Sequence, residues 1–160
     1  MLPTAQASRQ INDVPTEVLI QAFADRILVL ITQLGKVGNL IQATMPSTAP
    51  LDPPPPPDAE QPNQIPLPPP SAAVELSFLL GSAPTDHLRI LHTLYASQAA
   101  TLVWWGEAEG VGLEADRRPV IVGVALRPSS DSGRDEDLSE AERNTFHEIM
   151  GMVRELSQRK

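Results

Sequence analysis

The residue types that most often carry chemistry are sparse in this sequence. Its 160 residues include no cysteine, so the chain has no thiol nucleophile, thiolate metal ligand or disulfide. The histidines are His87, His92 and His147. His87 and His92 are five residues apart, whereas two metal ligands on one helix face are three or four apart. This spacing indicates solvated or core-edge histidines rather than a metal site.

The stretch GKVG at residues 35–38 resembles a phosphate-binding loop only superficially. A Walker loop places Ser or Thr after its lysine and leads into a helix, whereas Lys36 precedes Val37 between two strand-like segments. The GxSxG pattern of a nucleophilic serine is absent as well. The sequence therefore predicts a turn here, no cofactor, and a protein that is not an enzyme.

A cluster of carboxylates precedes the last helical segment. It lacks the register of an EF-hand calcium loop, because its glycine is misplaced and no glutamate closes the loop. We interpret it as a solvated loop that favours the following helix N-terminus. Its members are Asp131, Asp135, Glu136 and Asp137.

The elements that could position any site begin with residues 16–43. Three short apolar segments lie there, at residues 18–20, 27–31 and 37–41, and they are rich in β-branched residues. Such segments favour strands over helices. Residues 24–26 form the predicted first turn and the glycine-bounded residues 35–39 the second. The pattern predicts an antiparallel meander of three neighbouring strands.

Further strands are predicted at residues 8–11, 73–80 and 119–126. A helix is predicted with Ser82 or Thr85 as its cap and Gly106 as its C-terminal stop, followed by an acidic loop at residues 107–118. Its apolar stripe is expected to be widened by two further residues. The elements of that stripe are Leu88, Leu91, Tyr95, Ala99 and Leu102, with Ile90 and Leu94 at its side.

The last helix follows a capping box formed by Ser139 and Glu142. The predicted fold class is α+β: an antiparallel sheet of five or six strands with two helices on one face. Residues 27–31 and 119–126 are apolar without alternation, which is typical of strands covered on both faces. Since two helices cover only one face, the opposite face is expected to pack against the sheet of another chain.

Residues 45–71 differ abruptly in composition and contain 12 of the 17 prolines. They predict an extended, disordered loop that interrupts a single domain spanning residues 1–160. The runs at residues 53–57 and 66–70 fit the aromatic grooves of SH3, WW or profilin type. A passive expansion of the loop is the more common explanation for such tracts.

The formal net charge is −8, which disfavours binding to nucleic acid and to anionic membranes. The N-terminus shows no secretory signal, and the longest apolar stretch, residues 88–105, is interrupted by polar residues. We expect a cytoplasmic protein, with the nucleus as a second location. At the end of the first helix, Trp104 and Trp105 are predicted to pack one or both of their rings in the core, the alternative being an exposed anchor for a partner.

Residues 14–43, VPTEVLIQAFADRILVLITQLGKVGNLIQA, resemble the N-terminal half of the proteasome assembly chaperone 3 family. The carrying motif is ILVLITQLGKVGNL at residues 27–40. The resemblance continues at Leu79-Leu80-Gly81 and at the apolar strand before the final helix. The proline-rich insertion and the loop at residues 107–118 depart from the shorter animal pattern and suggest a fungal-type member.

This resemblance implies an antiparallel sheet with two helices on one face, and a heterodimer with a related chaperone, assembly chaperone 4. It implies binding to alpha subunits of the 20S proteasome core particle and promotion of alpha-ring assembly. The sequence leaves open a homodimer when the partner is absent. The resemblance implies that the hairpin is a structural or partner-facing turn, and that every second residue of 27–31 faces the dimer partner. The residues so assigned are Ile27, Val29, Ile31, Gln33, Leu34, Gly35, Lys36 and Gly38.

Two other functions fit the same sequence. A roadblock- or longin-like scaffold subunit of a trafficking complex also combines a small sheet with helices in a dimer, although roadblock-like domains tend to begin with a helix. A proline-rich adaptor would use the globular part only to display residues 53–70.

Overall fold

The computed structural model describes residues 4–33, 35–62, 66–111, 117–127 and 139–158. They form a six-stranded sheet with two helices on one face, which confirms the α+β class. In chain order the elements are β1 (Thr4–Ile11), β2 (Val14–Ala22), β3 (Ile27–Thr32), β4 (Asn39–Thr44), β5 (Glu75–Leu80), α1 (Asp86–Val111), β6 (Val120–Ala125) and α2 (Glu140–Ser157).

The order of strands across the sheet is β1-β2-β3-β6-β4-β5. β6 pairs parallel to β3, and every other neighbouring pair is antiparallel, so the sheet is mixed and the prediction of a purely antiparallel sheet was wrong. The predicted three-strand meander is wrong as well, because β6 lies between β3 and β4. All six residues of β6 are buried. A strand this apolar removes the most apolar surface from water when it lies at the centre of the sheet.

The β2–β3 connection is the hairpin that the sequence predicts. Phe23 N donates to the carbonyl oxygen of Arg26 at 2.8 Å, and the two strands pair in register on either side of that turn. The predicted edge strand at residues 8–11 is part of the longer β1, and the predicted strands at residues 73–80 and 119–126 correspond to β5 and β6.

The hydrophobic core lies between one face of the sheet and the two helices. α1 packs over β6 and β4, whereas α2 packs over β1 and β2. Because side chains alternate along a strand, β2, β3 and β4 send every second residue into this core. The strand residues that are fully buried there include Val18, Val29, Ile31, Ile41, Val120, Val122 and Val124.

α1 begins where the sequence predicts and ends later. Its cap is Thr85, whose hydroxyl oxygen accepts from Leu88 N at 3.2 Å. The helix continues through Gly106, the predicted stop, to Val111. Gly106 instead marks a close approach of the helices, because a Cβ atom there would lie 2.6 Å from the carbonyl oxygen of Ser157 on α2.

The prediction that one face of α1 is buried is correct for the central residues of the apolar stripe and wrong for the two residues at its side. Leu91, Tyr95 and Leu102 are buried as expected. Ile90 and Leu94 are exposed, because the sheet and α2 contact the opposite side of the helix.

α2 begins at its predicted cap, where the hydroxyl of Ser139 accepts from Glu142 N at 3.2 Å. The carboxylate of Glu142 is buried and lies 2.8 Å from Nε2 of His87, so it connects the first turns of both helices. Next to this pair, Tyr95 packs edge-on against Phe146, with ring centroids 5.1 Å apart. Burial, and secondly the charge of Glu142, raise the pKa of Tyr95.

The long connection between β4 and β5 lies against the helices. We call its described residues, 45–62 and 66–74, the proline strap. They contain turns but no helix or strand. The carbonyl oxygen of Pro68 accepts from Nε2 of Gln98 on α1 at 2.8 Å, and that of Pro66 accepts from Nη1 of Arg154 on α2 at 3.3 Å. The strap is therefore fastened to both helices.

Within the described ranges, no helix is long and apolar enough to cross a membrane. The acidic cluster at Asp131, Asp135, Glu136 and Asp137 lies outside the described residues.

Two helical glycines provide a matched test of the α1–α2 contact. Ala is favoured over Gly in a helix by about 1 kcal/mol. Gly151→Ala meets no atom within 4 Å, so we expect it to stabilise the chain by about that amount. Gly106→Ala would push against the backbone of Ser157, and we expect a net destabilisation of about 1–3 kcal/mol. Urea denaturation of both variants measures the difference. Equal stabilisation by the two substitutions would contradict a close contact at Gly106.

Candidate functional site

The face of the sheet away from the helices carries partly exposed apolar side chains on the described strands. We call it the open face. Its apolar residues are the alternates of the core residues, and four are half-buried leucines. They are Leu19, Leu28, Leu30 and Leu40, together with Ile121 and Gly123 of the central strand β6.

The strand register arranges these residues in rows across the sheet. Leu19 lies opposite Leu30, which lies opposite Gly123, and Gly123 lies opposite Leu40 on its other side. This row extends to the edge strand, where Leu80 lies opposite Leu40. One continuous apolar row therefore crosses β2, β3, β6, β4 and β5.

The neighbouring rows are more polar towards their ends. Leu28 and Ile121 lie side by side at the centre of the next row, between Gln21 on β2 and Gln42 on β4. The row on the other side begins with Glu17 opposite Thr32. An apolar centre within a polar rim is the usual layout of a protein–protein interface.

Gly123 explains how β6 is buried on both faces without a second layer. A Cβ atom there would lie 2.7 Å from Cδ2 of Leu30 and 2.8 Å from the carbonyl oxygen of Val37. Without that atom, the flanking side chains and the turn after β3 close over the strand. The burial of β6 therefore needs no partner chain, contrary to the expectation from its unbroken apolar sequence.

The predicted hairpin at residues 35–39 is instead a turn that crosses the end of β6. Gly38 has φ +70°, and a Cβ atom there would lie 2.2 Å from the carbonyl oxygen of Val124 on β6. Gly35 has φ +68° and open space around it. Both glycines supply a conformation that side chains disfavour, and only Gly38 also provides a close approach.

Gln33 fastens this turn to β2 and to the end of β6 through three hydrogen bonds. Its Nε2 donates to the hydroxyl of Thr16 on β2 at 3.1 Å, and its Oε1 accepts from Arg127 N at 3.0 Å. Its backbone N donates to the carbonyl oxygen of Ala125 at 2.7 Å. Lys36 is exposed, and its backbone N donates to the hydroxyl of Thr32 at 3.1 Å. Gln33 is thus a structural residue of the turn.

The far end of the turn is held by a pair between β4 and α1. Nδ2 of Asn39 lies 3.2 Å from Nδ1 of His92, a buried histidine. Burial lowers the pKa of His92 below its ordinary value of 6.5. In this pairing the neutral imidazole accepts at Nδ1 from the amide of Asn39, so a protonated ring would lose the contact.

The predicted site residues therefore divide into groups. Ile27, Val29 and Ile31 are at most 2% exposed and face the helices, which closes them to a partner. On β3, Leu28 and Leu30 lie on the face away from the helices and are open to a partner. Side chains alternate along the strand, and the helices cover the face that carries the other three residues. Gln33, Gly35, Lys36 and Gly38 form the turn, and contact of the turn with a partner stays a prediction. Leu34 lies outside the described residues.

The sequence analysis did not single out Leu19, Leu40, Ile121 or Gly123 as site residues. A glycine inside an otherwise β-branched strand is a signal of close backbone or side-chain approach, and it could have indicated Gly123. The leucines carry no such signal, because the face of the sheet on which they lie is decided by the pairing of strands that are distant in sequence.

The β5 edge adds exposed apolar residues next to the open face. Leu76 lies opposite Ala43 and packs against the core. Phe78 and Leu80 are 47% and 61% exposed, although the sequence predicts both on the same face as Leu76. A register irregularity beside Leu40 and the edge position of β5 account for the difference.

The paired tryptophans have different surroundings. Trp104 is buried, and its Nε1 donates to the carbonyl oxygen of Arg118 at 2.9 Å, which confirms core packing for this ring. Trp105 is only partly buried and lines a small cavity with Pro54 and Pro68 of the proline strap.

A cleft of about 490 Å³ opens at the end of the sheet between the first strands and the helices. Its walls include Ile20, Ile27 and Val103, and its polar part is the ion pair of Glu107 with Arg118. Among the described residues, no three His, Asp or Glu side chains come together as a metal site would require. The open face is therefore the strongest candidate site.

Comparison with known proteins gives a short match to a curated protein. No family model matches the chain. Over 41 residues the chain is 44% identical to proteasome assembly chaperone 3 from Bos taurus, a match that covers 26% of this chain and 34% of that protein. The matched part thus spans about a third of the curated relative. The chain is similar, over this short stretch, to a protein named for proteasome assembly.

The Asn39–His92 pair predicts a pH dependence of stability. Because the pKa of His92 is lowered in the folded chain, the unfolded chain takes up a proton first as the pH falls through 6.5. The contribution of neutral His92 to the free energy of unfolding is therefore fully present above that pH and decreases as the pH falls below it. We expect His92→Gln, which keeps an acceptor for Asn39, to lose less free energy of unfolding than the parent between pH 7.5 and pH 5.5. Urea denaturation at both pH values tests this, and equal losses would contradict it.

Proposed function

We propose that this chain is a non-catalytic assembly chaperone that pairs through its open face with the sheet of a related chaperone. The heterodimer binds alpha subunits of the proteasome and promotes assembly of the alpha ring of the 20S core particle. The observation that carries the proposal is the apolar open face, which combines with the short match to proteasome assembly chaperone 3.

The shape and composition of the open face support sheet-on-sheet pairing. Its half-buried leucines form a row across the sheet, and glutamines flank the centre of the adjacent row. Two facing sheets pack about 10 Å apart and interdigitate side chains of this size. A partner with the same layout would remove the leucines from water and keep its polar rim solvated.

A binding mechanism suits the described side chains. In a chaperone of this kind the paired sheets form a rigid body that holds one subunit and blocks its incorrect neighbours, which is specificity without a chemical step. The resemblance supplies the identity of the client, the alpha subunits, and the cytoplasmic or nuclear location that we propose with it. A second copy of this chain is the alternative occupant of the open face when the partner is absent.

Affinity capture of the tagged chain from its own cells, with mass spectrometry of the partners, tests the function. We expect a stoichiometric small partner together with proteasome alpha subunits and without mature beta subunits. Recovery of coat, tether or small-GTPase complexes instead would overturn the proposal in favour of a trafficking scaffold.

The open face is tested with a pair of double variants. Leu28→Gln/Leu30→Gln changes the open face, whereas Ile90→Gln/Leu94→Gln makes the same type of change on the exposed side of α1. Loss of two interface leucines costs about 1–2 kcal/mol each, so we expect affinity for the captured partner to fall by about 30-fold or more. The α1 variant should bind as the parent does.

Isothermal titration calorimetry with the captured small partner measures these affinities, and circular dichroism verifies that both variants are folded. Equal binding by the two double variants would place the partner elsewhere on the chain.

A further inference from the structure

The proline strap presents one of its two proline runs and uses the other as an anchor. Residues 53–57 are five consecutive prolines, and each is exposed. In the second run Pro68 is buried, and the carbonyl oxygens of Pro66 and Pro68 are bound by Arg154 and Gln98. The sequence treats the two runs as equivalent candidates for recognition, and their surroundings separate them.

The exposed run is fixed to the protein at its N-terminal end and is followed by a local turn. On its N-terminal side, Ala49 N donates to the carbonyl oxygen of Pro46 at 3.0 Å, and that same oxygen accepts from Nη1 of Arg117 at 2.8 Å. On its C-terminal side, Asp58 closes a turn in which its Oδ1 accepts from Glu60 N at 2.9 Å. Ala49 and Leu51 pack against the core.

Backbone chemistry determines the conformation between these turns. Each proline fixes its own φ, and each residue before a proline is restricted to extended values of ψ. Five in succession therefore form a left-handed polyproline II rod with three residues per turn, about 15 Å long at 3.1 Å per residue. Because the rod is already extended, it loses little conformational entropy when a partner binds it.

A three-residue repeat gives the rod three edges, and the body of the protein occupies one of them. Leu51 packs against the core, and Pro54, three residues on, lines the small cavity beside Trp105. The edges that face away carry Pro53 and Pro56 on one side and Pro55 on the other. Aromatic grooves that recognise polyproline II segments bind the rod from the side and leave the opposite side free.

The charge at the ends of the rod selects the type of groove. Asp52 and Asp58 are exposed and occupy the same edge as Pro55, three residues to either side. Residues 45–62 contain Glu60 as well and no Lys or Arg. A groove with basic residues at its rim is complementary to these carboxylates, and an acidic rim is repelled.

We propose that residues 52–58 are a docking site for a partner domain with an aromatic-lined polyproline groove and a basic rim. The site lies on the helix side of the fold, whereas the open face lies on the opposite side of the sheet. The two surfaces are therefore available at the same time, and the strap links the chain to a second class of partner independently of the chaperone proposal.

The test uses the full chain and a panel of purified domains in calorimetric titrations. The panel contains an EVH1 domain, a WW domain and a profilin, each chosen with a basic rim, and an SH3 domain with an acidic rim. The informative variants are Pro53→Ala/Pro56→Ala on the outward edge and Asp52→Lys/Asp58→Lys at the rod ends. Pro54→Ala, on the edge that faces the protein, is the matched control.

We expect at least one basic-rimmed domain to bind the parent chain, and binding to weaken by about tenfold or more in the outward-edge variant. Charge reversal should weaken the same interaction and reverse its salt dependence, because salt screens the new repulsion from the basic rim, and Pro54→Ala should change it least. Thermal unfolding verifies that each variant is folded.

Three results would overturn the proposal: no binding by any basic-rimmed domain, tighter binding after charge reversal, or equal losses from Pro54→Ala and the outward-edge variant. The first result would leave the rod as a rigid spacer between its anchors. None of these results bears on the open face, since the Leu28→Gln/Leu30→Gln variant tests that surface separately.

Discussion

The insertion of β6 between β3 and β4 is the constraint on which the rest of the fold depends. β6 is buried along its whole length, so its backbone groups must be paired on both sides and its side chains covered on both faces. Antiparallel β4 lies between β5 and β6, so α1 carries the chain across β4 before β6 can enter the sheet. The core is therefore complete only when the last strand is in place, and the fold depends on contacts between distant parts of the sequence.

The same insertion shapes the candidate interaction surface. Because β6 separates β3 from β4, the turn between those strands has to cross its end, and Gly38 allows the backbone to pass over Val124. Gly123 allows Leu30 and the turn to close over β6, so the chain itself covers the centre of the leucine row. The residues that look like a phosphate loop in the sequence are thus part of the packing of the sheet, and their glycines have a steric function.

The helix layer provides a second surface with different properties. Gly106 brings α1 and α2 together, and the buried pair of His87 with Glu142 joins their first turns. The proline strap lies against this layer through Pro66 and Pro68, and the exposed pentaproline rod is held between its turns. The two proposed sites therefore lie on opposite sides of the protein: an apolar sheet face on one side and an extended proline segment on the other.

The sequence by itself determined the elements and much of their chemistry. The β-branched runs, the caps at Thr85 and Ser139 and the hairpin before β3 act locally, and local signals decide them. Tertiary structure alone decided that β6 separates β3 from β4, that Gly106 lies inside a helix, and that Leu28 and Leu30 rather than Ile27, Val29 and Ile31 face outward. Each of these depends on which distant strand or helix lies next to a residue. Alternation along a strand divides its residues between two faces, but it does not determine which face lies against the core until the neighbouring elements are known.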